Sequence, residues 1–291
     1  MSVLCTATVV SQREVASRHF LLELKAEAVA KKARPGQFVH VRCSDSFDPL
    51  LRRPFSLHRI LPEGGTIVIL YRLAGRGTAW LASRRPGDSV EVMGPLGNGF
   101  DLGRGDSSGL TEKADKTSRF PLALLVGGGV GAAPLLALAE ALRAQGRKTV
   151  AFIGAPSRDQ LLQVPAFAAA GAEVVTATDD GSEGCRGTVV AALENWLKSM
   201  PASAKDAGEG FRAGAEVFAC GPKAMLFSLQ QLCLREGLPL QVSLEERMGC
   251  GVGACLSCVC RLRSTEKGEL KYARVCAEGP VFRGEEVCLN E

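Results

Sequence analysis

Aromatic and imidazole side chains are scarce. The chain has two tryptophans, two tyrosines and three histidines in 291 residues. His19, His40 and His58 are scattered, with none of the short spacings that metal-binding histidines show, so no catalytic role is assigned to them. Long apolar runs are missing too. The nearest one, Pro121 to Val126, ends in three glycines, short of the ~18 residues that a membrane-crossing helix needs. No basic block with interleaved aromatics is present, and 35 basic against 31 acidic residues leave a net charge of only +4. Binding to nucleic acid or membrane is therefore not expected. The opening Met1-Ser2-Val3-Leu4-Cys5-Thr6 lacks the basic segment and apolar core of a secretory signal. A cytoplasmic, reducing location is expected, where structural disulfides are rare.

Cysteine and glycine, by contrast, are plentiful, at 11 and 33 residues. Cys250, Cys255 and Cys258 are spaced C-x4-C-x2-C, and Cys276 follows after a longer gap. That pattern is the plant-type ligand set of a [2Fe–2S] cluster. Thiolates are soft ligands suited to iron–sulfur chemistry. Gly249, Gly251 and Gly253 let backbone N–H groups approach an anionic cluster. Two other readings use the same cysteines. Structural zinc usually takes two close C-x2-C pairs, which one triplet and a remote partner do not supply. Disulfides conflict with the expected reducing location. Cys260 and Cys288 fall outside the pattern and are read as non-ligands.

An apolar fraction of 46% and a charged fraction of 23% are ordinary for a globular chain, and the length allows two or three domains. Strand-like runs occupy Thr6–Val10, Phe20–Leu24, Gln37–Arg42, Thr66–Arg72 and Ser89–Met93, separated by turn signals such as Arg34-Pro35-Gly36 and Arg85-Pro86-Gly87-Asp88. Short strands at near-regular spacing predict a closed or sandwich-like β domain, with one short helix starting near Thr78. Residues 103–119 are small and polar and read as a linker. Leu122–Val126, a glycine-rich turn, a helix over Leu135–Gln145 and a strand over Thr149–Gly154 form a βαβ unit. Strands at Glu173–Thr178, Glu216–Cys220 and Gln241–Leu244 alternate with helices at Val189–Lys198 and Lys223–Glu236. This alternation predicts a doubly wound parallel sheet. Residues 201–214 form a second polar insert.

Three stretches carry chemistry. Arg52-Arg53-Pro54-Phe55-Ser56 and the run Tyr71 to Thr78 suit a phosphate, through arginine forks and a glycine turn at a helix start. An Arg-Pro turn and an ordinary helix cap explain them equally well. Gly127-x-Gly129-x-x-Ala132 fits the dinucleotide fingerprint between strand and helix. No acid stands at the tip of the following strand, and Arg158 keeps NADP open beside NAD. Cys220 stands at the carboxyl end of its strand, where ligands bind in such sheets; a small buried hydrophobe is its other reading.

Together the motifs resemble the ferredoxin–NADP reductase superfamily. They are Arg53-Pro54-Phe55-Ser56, Gly75-Arg76-Gly77-Thr78, Gly127 to Pro134 and Cys220-Gly221-Pro222. The ending resembles the electron-transfer subunits of type B dihydroorotate dehydrogenases. There Ser243-Leu244-Glu245-Glu246-Arg247-Met248-Gly249-Cys250 runs into the cysteine triplet, and Val275 to Phe282 follows. Sulfide dehydrogenase and hydrogenase reductase subunits share the layout. The resemblance implies an antiparallel FAD-binding β-barrel over 1–102, the linker 103–119, an NAD(P)-binding α/β domain over 120–244 and a [2Fe–2S] domain over 245–291. It places Arg53, Pro54, Phe55, Ser56, Leu70, Tyr71, Arg72, Gly77 and Thr78 on FAD, and Gly128, Gly129 and Gly131 on the dinucleotide. Cys220 would lie by the nicotinamide, and Cys250, Cys255, Cys258 and Cys276 would hold the cluster. It also implies a separate FMN-containing catalytic subunit in a heterotetramer of two of each. Electrons would then pass from dihydroorotate through FMN, cluster and FAD to NAD⁺. A nicotinamide moves electrons in pairs and an iron–sulfur cluster singly, so the flavin is expected between them.

Overall fold

A computed structural model describes residues 2–103, 120–200, 214–263 and 269–290. Nearly all of the two polar inserts, 103–119 and 201–214, lies outside the described residues. The first six strands are β1 (Val3–Ala16), β2 (His19–Lys25), β3 (Phe38–Val41), β4 (Arg53–Leu61), β5 (Thr66–Arg72) and β6 (Ser89–Leu96). They close an antiparallel barrel in the order β1-β2-β5-β4-β3-β6. Alternation drives the closure: Leu22 and Leu24, Ile67 and Ile69, and Val90 and Val92 all point into one buried core. Two helices, α1 (Glu27–Ala30) and α2 (Arg76–Ala82), sit in its connections.

Strand β4 differs from the sequence expectation. Arg53 to Ser56, read as a turn or a phosphate loop, begins a nine-residue strand paired with β3, Phe38 opposite Ser56 and His40 opposite Pro54. Charged residues and a proline hide the strand, because proline removes a ladder donor and both lower β propensity. Further along, the β4–β5 register slips between Leu57 and Arg59, leaving His58 as a bulge. A bulge re-aims its side chain, and His58 turns toward the second domain.

That domain is a sheet of β7 (Leu122–Gly128), β8 (Lys148–Ala155), β9 (Glu173–Thr178), β10 (Cys185–Arg186), β11 (Ala215–Cys220) and β12 (Leu240–Ser243). All pair in parallel, in the order β10-β9-β8-β7-β11-β12. The chain steps outward one way from β7 and then returns to its other side at β11, so the topological switch point lies between these two strands. Helices α3 (Ala133–Ala144) and α4 (Val164–Ala169) cover one face, and α5 (Val189–Ser199) and α6 (Lys223–Glu236) cover the other. The core under α3 also takes in Leu21, Val68 and Leu70 of the barrel, which seats the barrel against that face.

The C-terminal stretch adds a hairpin, β13 (Val259–Arg263) with β14 (Leu270–Arg274). It then returns to the sheet: β15 (Val281–Arg283) pairs antiparallel with β12. Cys258, Leu262, Val275, Cys276 and Phe282 share one core with the α5/α6 face of the sheet. Residues after 244 are thus packed into the nucleotide sheet. Among the described residues no helix is long and apolar enough to cross a membrane.

Candidate functional site

Three sites meet where barrel, sheet and C-terminal loop converge. The largest is a cleft of about 740 Å³. Arg53, Pro54, Phe55 and Ser56 of β4 and Leu70, Tyr71 and Arg72 of β5 line it, so seven of the sequence-predicted residues stand on adjacent strands of one wall. Phe55 and Phe20 pack against Tyr71, whose ring lies 5.6 Å from each. Tyr71 donates its hydroxyl to Gln12 Oε1 at 3.0 Å. Burial pushes its pKa well above the usual phenol value, with the Cys43 thiol adding to the rise, so it stays a neutral phenol. Gly77 and Thr78 open α2 beside this wall. A Cβ on Gly77 would lie 3.2 Å from Cys43 Cβ and 3.5 Å from Arg53 Nε, so glycine lets the helix close on Arg53. Thr78 Oγ1 accepts the N–H groups of Ala74 and Gly75 at 2.8 and 3.0 Å, which fixes the turn. An apolar slot with an arginine fork and a pinned glycine turn fits a flavin dinucleotide.

A second cleft of about 490 Å³ opens over the switch point. Gly128, Gly129 and Gly131 line it, with Gly128 and Gly131 packed against Gly221, Pro222 and Met225. Gly131 carries the tightest approach: a Cβ there would stand 2.3 Å from the carbonyl oxygen of Cys220. That contact brings β11 against the turn after β7. Cys220 itself is fully buried and lines neither cleft, and burial lifts its thiol pKa well above the usual value. The thiol therefore sits beneath the cleft, and the two residues after it form the cleft surface.

The cleft also holds an acid that the sequence reading missed. Asp179, one residue past β9, lines it beside Ala155 and Pro156 at the end of β8. The β8–β9 pairing carries it there, and its N–H reaches the Ala155 carbonyl at 3.2 Å. Arg158, which kept NADP open, points elsewhere and pairs with Glu183 at 3.7 Å. It does not line the cleft.

The third site is the loop between Gly249 and Cys258. Cys250 Sγ accepts the N–H groups of Val252, Ala254 and Cys255 at 3.3–3.4 Å. Cys276 Sγ accepts that of Gly253 at 3.1 Å, and Cys258 Sγ that of Cys276 at 3.5 Å. Backbone donors aimed at sulfur suit thiolates on an anionic cluster. The N–H groups of Cys255 and Cys276 thus tie these two residues to Cys250 and Cys258 respectively. Ser257, 3.2 Å from Cys255 Sγ, draws the exposed Cys255 thiol down to about 6, with help from the backbone. Burial, then the Cys258 thiol, pushes Cys276 up to about 12. Among the described residues no three His, Cys, Asp or Glu side chains close on one metal ion. A two-iron cluster asks for four thiolates, the number that Cys250, Cys255, Cys258 and Cys276 offer. Cys260 lies on β13, outside the ring, and burial raises its pKa to about 11.

Arg72, Val130 and Glu245 line both clefts. Glu245 is exposed where it lines them, and desolvation raises its carboxyl pKa against the opposing pull of Arg72. Glu246, Arg247 and Met248 continue the wall of the large cleft up to Gly249, where the cysteine loop starts. Two histidines given no role from sequence lie on β4 and on the neighbouring β3. His58 reaches the dinucleotide helix, and His40 is fully buried against the cysteine loop.

A family model described as the iron–sulfur cluster binding domain of dihydroorotate dehydrogenase B matches residues 245–288. The dihydroorotate dehydrogenase B (NAD(+)) electron transfer subunit of Geobacillus thermodenitrificans is 43% identical over 282 residues, covering 97% of each chain. That of Geobacillus kaustophilus is 44% identical over the same share. The chain belongs to the family of dihydroorotate dehydrogenase B electron transfer subunits. Its fold is shared more widely. The NADH-dependent reduced ferredoxin–NADP oxidoreductase aligns with a TM-score of 0.78 and 29% identity, over 98% of this chain and 90% of that one. The ferredoxin reductase of carbazole 1,9a-dioxygenase aligns with a TM-score of 0.64 at 20% identity, over 83% and 69%, a likeness of fold alone.

Proposed function

We propose that the chain passes electrons between a dihydroorotate-oxidising partner subunit and NAD⁺, with FAD in the larger cleft, NAD in the smaller one and a [2Fe–2S] cluster on Cys250, Cys255, Cys258 and Cys276. The observation that carries this reading is contiguity. Arg72, Val130 and Glu245 belong to both clefts, and residues 246–248 join the larger cleft to the cysteine loop. When bound, these groups supply the conversion between hydride pairs and single electrons that no amino-acid side chain provides.

The chain's own residues bind and orient. Arg53 and Ser56 hold the flavin from β4, with Pro54 and Phe55 as its wall; Leu70, Tyr71 and Arg72 hold it from β5, and Gly77 and Thr78 hold its pyrophosphate. Gly128, Gly129 and Gly131 cradle the dinucleotide phosphates. Asp179 accepts ribose hydroxyls and repels a 2′-phosphate, which favours NAD over NADP. Cys220 supports the turn from below. Because the relatives are named electron transfer subunits, dihydroorotate oxidation is assigned to a separate FMN-containing subunit, two copies of each forming the complex.

The test uses the purified chain, reconstituted anaerobically with FAD, iron and sulfide. NADH-dependent dye reduction is expected, without any dihydroorotate turnover until the catalytic subunit is added. Dihydroorotate oxidation by this chain alone would sink the assignment.

A further inference from the structure

His40 lies between two of these sites and has no role in either so far. Its side chain is fully buried on β3. On one side it stands opposite Pro54 of the flavin strand. On the other it meets the cysteine loop: a Cβ on Gly251 would come within 2.7 Å of His40 Nδ1. Gly251 has φ +73°, so the loop turns in a conformation that glycine tolerates and lays its backbone flat on the imidazole.

Neither ring nitrogen reaches a full hydrogen bond within the described residues, although the backbone of Cys250 and of Arg52 lies near the ring. A buried polar atom without a partner costs ~1–3 kcal/mol, so its presence asks for a physical reason. A leucine or phenylalanine would fill this space without that cost. The ring instead keeps one N–H donor and one acceptor at the backbone next to a cluster ligand. Metal-site loops are commonly set by such outer partners, whose removal weakens the site although they never touch the metal.

We infer that His40 is a positioning residue: its imidazole fixes the Cys250–Gly251 backbone against the flavin strand and so sets the seat of the cluster. This rests on the functional reading above, in which the four cysteines carry a [2Fe–2S] cluster and β4 carries FAD.

The test compares the full chain with His40→Leu and His40→Gln after anaerobic reconstitution with FAD, iron and sulfide. FAD and iron content are measured first; a native chain that takes up neither refutes the functional reading itself. With both bound, His40→Leu is expected to keep its FAD, to change the EPR line shape of the reduced cluster, and to lose iron to a chelator about tenfold faster. His40→Gln, which restores a donor and an acceptor, should recover most of the native half-life. Should His40→Leu fail to fold, His40→Met fills the same volume with a flexible apolar chain and is held to the same criteria. An apolar variant with native EPR line shape and native chelator half-life overturns the inference.

Discussion

His58 Nδ1 lies 2.9 Å from the carbonyl oxygen of Ala133, tying the bulge in the flavin strand to the first turn of the dinucleotide helix. A second link, Arg59 to Glu140 at 2.8 Å, runs beside it on the surface. The imidazole is almost fully buried, and that desolvation lowers its pKa from 6.5 to about 4. The folded chain therefore holds it neutral, while the unfolded chain protonates it below about pH 6.5. The stabilisation is present above that value and is lost as the pH falls toward about 4. Between about pH 7 and pH 5 the loss is roughly 2 kcal/mol. Urea midpoints measured across that range should fall in the native chain and fall less steeply in His58→Leu, where buried His40 still contributes. An equally steep fall in the variant would show that other groups set the acid limit.

Asp179 should govern the choice of dinucleotide. Asp179→Ser removes the carboxylate that faces the cleft beside Pro156. Like charges brought together cost several kcal/mol, so relief of that repulsion should raise kcat/KM for NADPH by about tenfold or more. Loss of the ribose contact should lower that for NADH. Steady-state diaphorase kinetics with both nucleotides read the ratio directly. An unchanged ratio would remove Asp179 from the site.

Much of the fold is legible in sequence, because its signals are local. β5 and β9 run over Thr66–Arg72 and Glu173–Thr178, and α6 over Lys223–Glu236, as read from periodicity and bounding turns. Elements defined by distant partners are not legible. Arg53 and Pro54 conceal β4 until β3 supplies the ladder, and β15 is three residues long and exists only through its pairing with β12. The same holds at the site. The cysteine spacing and the glycine turn announce themselves, since their chemistry lies within one loop. Asp179, Glu245, His40 and His58 acquire meaning only when strands far apart in the chain bring them beside a cleft or a loop.

Gly131 and Cys220 form the closest approach in the dinucleotide cleft. Gly131→Ala would place a methyl 2.3 Å from the Cys220 carbonyl oxygen, a backbone atom with no rotamer to escape into. Overpacking of this kind costs ~1–3 kcal/mol. It should open the turn and raise the KM for NADH several-fold while FAD content stays native. A native KM would mean that the turn relaxes freely.

Cys220→Ala separates support from chemistry. The thiol is fully buried and lines neither cleft, so its loss should lower stability by ~1 kcal/mol. Hydride transfer from NADH, followed by stopped-flow bleaching of the flavin, should be almost unchanged. A fall of about a hundredfold, equivalent to ~3 kcal/mol of barrier, would restore the thiol to the catalytic groups.

The cysteine ring permits a sharper test, because the chain carries its own controls. Cys255 is exposed and Cys276 buried, and their N–H groups reach the sulfurs of Cys250 and Cys258 respectively. Cys260 and Cys288 stand on the hairpin side, Cys260 on β13 and Cys288 with its N–H on the Arg261 carbonyl. Serine keeps the size of a cysteine side chain but replaces the soft thiolate with a hard, poorly ionised oxygen. Cys255→Ser and Cys276→Ser should each abolish the EPR signal of the reduced cluster and its visible absorbance, with FAD retained. Cys260→Ser and Cys288→Ser should keep both signals. A signal that survives in Cys255→Ser would remove that residue from the ligand set, and one lost in Cys260→Ser would place a fifth cysteine at the cluster. Because Cys255 is reached by solvent and Cys276 is not, the two ligand variants should also differ in stability. The buried change leaves a polar hydroxyl in the core shared with the sheet, costing roughly 1–3 kcal/mol more in thermal or urea unfolding of the apo chain.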